Sequence, residues 1–204
     1  MKKIALFALA ALAALVLAPS SIVRGDDAPA ITPAPKAALP LVIYSDGQKS
    51  NPWIASGYMG SDVSQVKMDA NCTDSPHSGK TCLKVDFTSG DGWGGVQWQS
   101  PANDWENQKP GGYDLTGAKK LTFWAKGAKG GEVVSFFCGG KQDDKPYHNT
   151  ADGKLDKVAL TADWKEYTID LTGKDLTRIK SGFEWVLGAS GSPVEFYLDD
   201  IQYE

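Results

Sequence analysis

The sequence predicts an all-β protein, and three observations carry that reading. Past an N-terminal leader, short strand-like runs alternate with turn signals to the C-terminus. Several of these runs alternate apolar and polar residues with the two-residue period of a strand. Outside the leader no stretch of useful length has helical periodicity. About eleven short strands with frequent turns is the pattern of a sandwich or barrel. One wet face per strand implies antiparallel sheets packed on a shared core.

The chain opens on a targeting segment. Lys2 and Lys3 precede an apolar run from Ile4 to Ala18. That run is shorter than the roughly 20 residues a membrane span needs, and it suits a signal peptide. Residues 1–25 are read as the leader, with cleavage after Gly25 or, as a second option, Ala30. No Cys follows the apolar run, so a lipoprotein anchor is not expected. The expected address is secreted or periplasmic, with no membrane attachment after cleavage. Residues 26–40 are Ala/Pro-rich and read as a semi-rigid linker. Residues 41–204 are the domain, expected to be a monomer.

The 204 residues carry 21 basic and 25 acidic side chains, a net charge of -4. No basic run invites nucleic acid or an anionic membrane. The 22 Gly, seven Trp and seven Tyr suit a turn-rich β domain.

Strands are expected at Leu41–Ser45, Trp53–Tyr58, Val66–Asn71, Thr81–Thr88, Gly94–Ser100, Lys120–Lys126, Val133–Cys138, Lys157–Thr161, Lys165–Leu171, Phe183–Leu187 and Val194–Tyr203. In Leu121-Thr-Phe-Trp-Ala-Lys126 the apolar set is Leu121, Phe123 and Ala125. In Tyr167-Thr-Ile-Asp-Leu171 it is Tyr167, Ile169 and Leu171. The last run is aromatic and β-branched, without Gly or Pro. Strict alternation puts Tyr197, Asp199, Ile201 and Tyr203 on one face, which looks buried, and Leu198, Asp200 and Gln202 on the other. It is expected to pair with Leu41–Ser45. Asp199 then sits among core residues, where a carboxylate needs a cation or several donors. A bound metal ion is one answer.

Export permits disulfides. Cys72 and Cys82 flank a turn-rich hairpin connection, and a bridge there would staple two neighbouring strands. Cys138, in the apolar run Val133–Cys138, is left over as a buried, inert residue.

Four pieces standing in order resemble the jelly-roll carbohydrate-binding modules, the galactose-binding-domain-like β-sandwiches. They are His77-Ser-Gly-Lys-Thr-Cys-Leu-Lys-Val85, Leu121-Thr-Phe-Trp-Ala-Lys-Gly127, Trp164-Lys-Glu-Tyr-Thr-Ile-Asp-Leu171 and Phe196-Tyr-Leu-Asp-Asp-Ile201. The resemblance spans Leu41 to Glu204. It implies a jelly-roll sandwich that binds poly- or oligosaccharide on a concave face or at loop tips. It also implies a structural Ca2+ ion held by Asp199 and the first strand, where Tyr44-Ser-Asp-Gly47 offers Asp46 and carbonyls.

Sugar binding needs aromatic plates for the ring and polar side chains for its hydroxyls. In Gly90-Asp-Gly-Trp-Gly-Gly-Val-Gln-Trp-Gln-Ser100, Val96 and Trp98 share an inward face. Trp93, Gly95, Gln97 and Gln99 share the other, either a sugar platform or a solvated face with Trp93 capping an edge. Trp105, in the polar loop Asn103–Gly112, and Tyr147 with His148, in Lys145–Asn149, are candidate rim residues. His148 has no nearby Cys or second His at ligand spacing, so a transition-metal site is not expected.

Enzyme signatures are missing: no Gly-x-Ser-x-Gly elbow, no His-Glu-x-x-His, no phosphate loop. Glu195, Asp199 and Asp200 lack the alternate spacing of β-sandwich glycosidase carboxylates. The expected function is non-catalytic carbohydrate binding. The alternatives are a small lyase using Tyr147 and His148 as proton shuttles, a hydrolase, or an extracellular protein-interaction domain.

Overall fold

The structure, a computed structural model, describes residues 31–47, 52–140, 144–189 and 191–204. The proposed leader lies outside the described residues, as does the upstream third of the linker, residues 26–30. The strands are β1 (Leu41–Tyr44), β2 (Ile54–Gly60), β3 (Val66–Cys72), β4 (Cys82–Phe87), β5 (Trp93–Gln99) and β6 (Lys120–Gly127). They continue as β7 (Val133–Gly139), β8 (Asp152–Ala159), β9 (Lys165–Asp170), β10 (Ser181–Gly188) and β11 (Val194–Tyr203).

These form two antiparallel sheets. One runs β3-β4-β11-β6-β9, with β1 also paired to β11; the other runs β2-β5-β10-β7-β8. The first strand does pair with the last, Leu41 opposite Tyr203. The inner faces meet in one apolar core, because each strand turns its alternate apolar residues inward. Phe123 of one sheet lies 4.6 Å, centroid to centroid, from Phe136 of the other, and Trp185 lies 5.2 Å from Phe196.

Three expectations change. First, β8 starts at Asp152, not Lys157. It is an edge strand with few buried side chains, and Lys157 takes a left-handed φ of 51°. Both features blur the alternation that marks a strand.

Second, the faces of β11 are not those of strict alternation. The register shifts between Asp199 and Gln202, and Asp200 adopts φ 46°. This bulge reverses the alternation partway along the strand. Phe196 and Leu198 face the core before it, and Ile201 and Tyr203 after it. Tyr197 and Asp199 belong to the opposite, outer face, where Tyr197 packs with Cys72, Cys82 and Trp164.

Third, the described part of the linker, residues 31–40, is bound to the domain. The Asp114 N–H donates to the Pro35 carbonyl at 2.9 Å, and the Ala37 N–H donates to the Asp114 carbonyl at 2.9 Å. Arg178 Nη2 donates to the Thr32 carbonyl.

Asp199 is 0% exposed beneath the connection from β3 to β4. Its Oδ2 accepts the N–H groups of His77 (3.0 Å) and Ser78 (3.2 Å), and its Oδ1 that of Asp200 (2.9 Å). Burial pushes its carboxyl above the usual carboxylate range, against the pull of those N–H bonds. Asp200 holds the same connection through His77 Nδ1 (2.9 Å) and the Ser78 hydroxyl (2.9 Å). The His77 ring stacks on Trp124 with centroids 3.7 Å apart.

Asp46 Oδ1 accepts the N–H groups of Lys80 (2.6 Å) and Thr81 (2.9 Å). Calcium takes six to eight oxygen ligands, whereas the groups bonded to these two carboxylates are N–H donors, apart from the Thr81 hydroxyl 3.4 Å from Asp46 Oδ1. Among the described residues no group of three His, Cys, Asp or Glu could hold an ion. The residues present do not fit a calcium ion shared by Asp46 and Asp199.

Cys72 and Cys82 stand directly opposite each other on β3 and β4, as free thiols rather than the expected bridge. Burial, then the neighbouring Cys72 sulfur, pushes the Cys82 thiol up to about 12. Cys138 is free and buried, as expected from its apolar strand.

Candidate functional site

The outer face of the β2-β5-β10-β7-β8 sheet carries the candidate site. Val96 and Trp98 point into the core, so Gly95 and Gln97 between and beside them face out. One row of paired residues crosses all five strands: Gly57, Gln97, Glu184, Phe137 and Lys154. The next row begins with Met59, Gly95 and Val186. A Cβ on Gly95 would stand 3.1 Å from both the Met59 and Val186 side chains. The floor is thus a polar strip beside an apolar one, the two kinds of surface a sugar ring presents.

A chain of hydrogen bonds orients the polar strip. Gln99 Oε1 accepts the Ser56 hydroxyl (2.9 Å) and the Asn103 N–H (3.0 Å). Gln99 Nε2 donates to Gln97 Oε1 at 3.0 Å, and Gln97 Nε2 donates to Glu184 Oε2 at 2.6 Å. Burial pushes the Glu184 carboxyl above the usual carboxylate range, opposed by the bond from Gln97. Glu184 ends the chain as an acceptor-rich group on the floor.

Trp105 covers one end of this floor. It is 42% exposed, and its Cη2 would lie 3.0 Å from a Cβ on Gly57. Together with Met59, Gln97, Phe137, Lys154 and Glu184 it lines a cleft of about 420 Å³. A second depression, about 510 Å³, opens at the opposite end of the sandwich between Asp86, Lys129, Glu132 and Glu195. Its one aromatic, Phe87, is buried in the core, so it offers no plate for a sugar.

The structure brings Gln97 and Trp105 together in the cleft. Gln99 is buried beneath it and orients Gln97. Trp93 is 43% exposed at the far end of the outer face of β5 and does not line the cleft. The Tyr147 ring packs 5.3 Å from the Arg178 guanidinium, and its N–H donates to the Asn107 carbonyl at 3.1 Å. His148 lines a separate depression with Ile31, Pro33 and Arg178; its Nδ1 lies 2.7 Å from the Lys145 carbonyl.

Glu184, Phe137, Met59 and Lys154 line the cleft and were not among the residues expected from the sequence. Glu184 left a signal: it is the lone acid in Phe183-Glu-Trp-Val-Leu187, on the face opposite three large core residues. Phe137 left none, being one of two adjacent phenylalanines on an apolar strand.

A family model described as carbohydrate binding domain 30 matches residues 40–204. Comparison with curated protein sequences finds no match. Among solved structures, the chain is similar to a family 30 module of a cellulosomal cellulase of Clostridium thermocellum. That match has 18% identity, a TM-score of 0.54, and covers 82% of this chain and 98% of the other. A second family 30 module matches with 19% identity and a TM-score of 0.55, over 82% and 99% of the two chains. A family 11 module from the same organism matches with 16% identity and a TM-score of 0.52, over 82% and 95%. With the family match running from Pro40 to the last residue, over a two-sheet sandwich, this chain belongs to carbohydrate-binding family 30, whose members bind saccharide chains without cleaving them.

Proposed function

We propose that the cleft under Trp105 holds a neutral β-linked glucan across the outer face of the β2-β5-β10-β7-β8 sheet. The observation that carries this is an exposed indole standing over a floor of oriented amide and carboxylate. Trp105 stacks on one sugar ring. Gln97 and Glu184 bond its hydroxyls, and Met59 and Val186 meet an apolar ring face. Trp93, four residues along β5 from Gln97 and hence about 13 Å away, meets a later ring of a longer chain. Tyr147 and His148 act as supports of the rim. The glucan class is suggested by the cellulases that carry the similar modules, and the carboxylate of Glu184 disfavours an acidic polymer.

We also propose that the terminal strand is held by the His77–Thr81 connection rather than by calcium, and that the protein works outside the cytoplasm after loss of residues 1–25. Affinity electrophoresis through a series of soluble glucans tests the binding claim: retardation by a β-glucan that Trp105→Ala abolishes supports it. Equal retardation of parent and variant refutes the site.

A further inference from the structure

We infer that the buried Lys180–Asp104 ion pair is the positioning device of the cleft, fixing the loop that carries Trp105 over the floor. The inference rests on the reading of Trp105 given above.

Lys180 and Asp104 are 2% and 8% exposed. Lys180 Nζ donates to Asp104 Oδ2, and to the Lys109 carbonyl at 2.9 Å. The same carboxylate accepts the N–H groups of Gln108 (3.3 Å) and Lys109 (3.2 Å). The loop from Asp104 to Lys109 therefore closes around one cation, and Trp105 is the residue next to the anchoring carboxylate. Burial alone would push that carboxyl up; the ammonium and the N–H groups outweigh it and hold it below the usual range.

The backbone of Lys180 is fixed from other directions. Its N–H and that of Ser181 donate to Asn149 Oδ1 at 2.6 and 3.0 Å. Its carbonyl accepts the Ser100 N–H at 2.9 Å. Asn149 Nδ2 in turn donates to the Gly140 carbonyl at 3.0 Å. The residue just before β10 thus ties together the loop bearing Trp105, the loop ending at Asn149, and the strand bearing Glu184.

A buried ion pair contributes little net stability, because desolvation offsets the attraction. Geometry is what this one supplies. It sets the loop from behind, while Gly57, without a Cβ, leaves room for the indole against the sheet.

A double-mutant cycle tests the inference. Calorimetry with a β-1,4-glucan hexasaccharide would compare the parent, Trp105→Ala, the pair variant Lys180→Met with Asp104→Asn, and all three changes combined. Exchanging both partners leaves no buried unpaired charge. The pair variant should bind at least about fivefold more weakly than the parent, and adding it to Trp105→Ala should cost less than about twofold more. Parent-like binding by the pair variant overturns the inference, as do effects that simply multiply in the triple variant. Asp104→Glu, which keeps the charge but lengthens the arm, should also bind more weakly. If the pair variant does not fold, parent-like binding by Asp104→Glu overturns the inference. If Trp105→Ala itself binds like the parent, the site reading has failed, and that result is visible on its own.

Discussion

Replacing Trp105 with alanine should weaken glucan binding about tenfold while leaving the fold intact. A fully exposed tryptophan presents about 250 Å². At 42% exposure, roughly 100 Å² of this one remains in water by that measure. A sugar ring stacked on one indole face would cover about half of it, roughly 50 Å². At about 25–30 cal/mol per Å² that is about 1.3–1.5 kcal/mol, or close to a factor of ten in affinity. Because the ring is not part of the core, the melting transition should move little. Trp98→Ala is the contrast: Trp98 is buried against Phe183, with ring centroids 5.5 Å apart, so its loss should cost about 3–5 kcal/mol of stability. Titration calorimetry and thermal melts of both variants suffice. Unchanged affinity in Trp105→Ala, in protein that melts like the parent, refutes the assignment of the indole to the sugar.

Other expectations follow from the same contacts. Glu184 has a raised carboxyl pKa in the folded state, so its contribution to stability is present below the ordinary glutamate value of about 4.3 and lost as pH rises through the folded value. Binding should run the other way, weakening as pH falls through that range and the acceptor is protonated; a binding profile that Glu184→Gln leaves unchanged contradicts this. Under oxidising conditions Cys72 and Cys82 should form a bridge worth about 2–3 kcal/mol, with Cys138 free, and a linked peptide containing Cys138 on mass spectrometry would show the strand layout to be wrong. EDTA should leave the melting temperature unchanged, since Asp46 and Asp199 are already bonded mainly by backbone N–H groups; a clear drop reinstates calcium.

Much of the fold was legible because strands announce themselves by alternation and turns by their residues. Val96 and Trp98 against Gln97 fixed which way β5 faces, and the polar loop around Trp105 marked an exposed indole. What escaped was whatever depends on pairing between distant strands. Gly57, Gln97, Glu184, Phe137 and Lys154 form a row only once the strand order is known, and sequence order says nothing of it. Gln99 has the same parity as Gln97, but the loop that folds back over it buries it. The faces of β11 escaped because a bulge at one aspartate is invisible to a two-residue period. The calcium expectation arose from a real need, a buried carboxylate, that backbone N–H groups of the β3–β4 connection meet instead.

That bulge works like a reading frame. Beyond Asp200, Ile201 and Tyr203 face the core because one residue is out of step with the ladder. Drawing that residue back into the ladder, with the chain length unchanged, would restore strict alternation and send Ile201 and Tyr203, both 0% exposed, toward water. It would also break the bond from the Tyr203 hydroxyl to the Gly182 carbonyl at 2.6 Å. A glycine at position 200 accepts the left-handed backbone and keeps the frame, though it gives up the carboxylate that grips His77 and Ser78. Beyond the bulge, β11 should therefore bear a change of residue far better than an inserted or lost one, which would shift that frame.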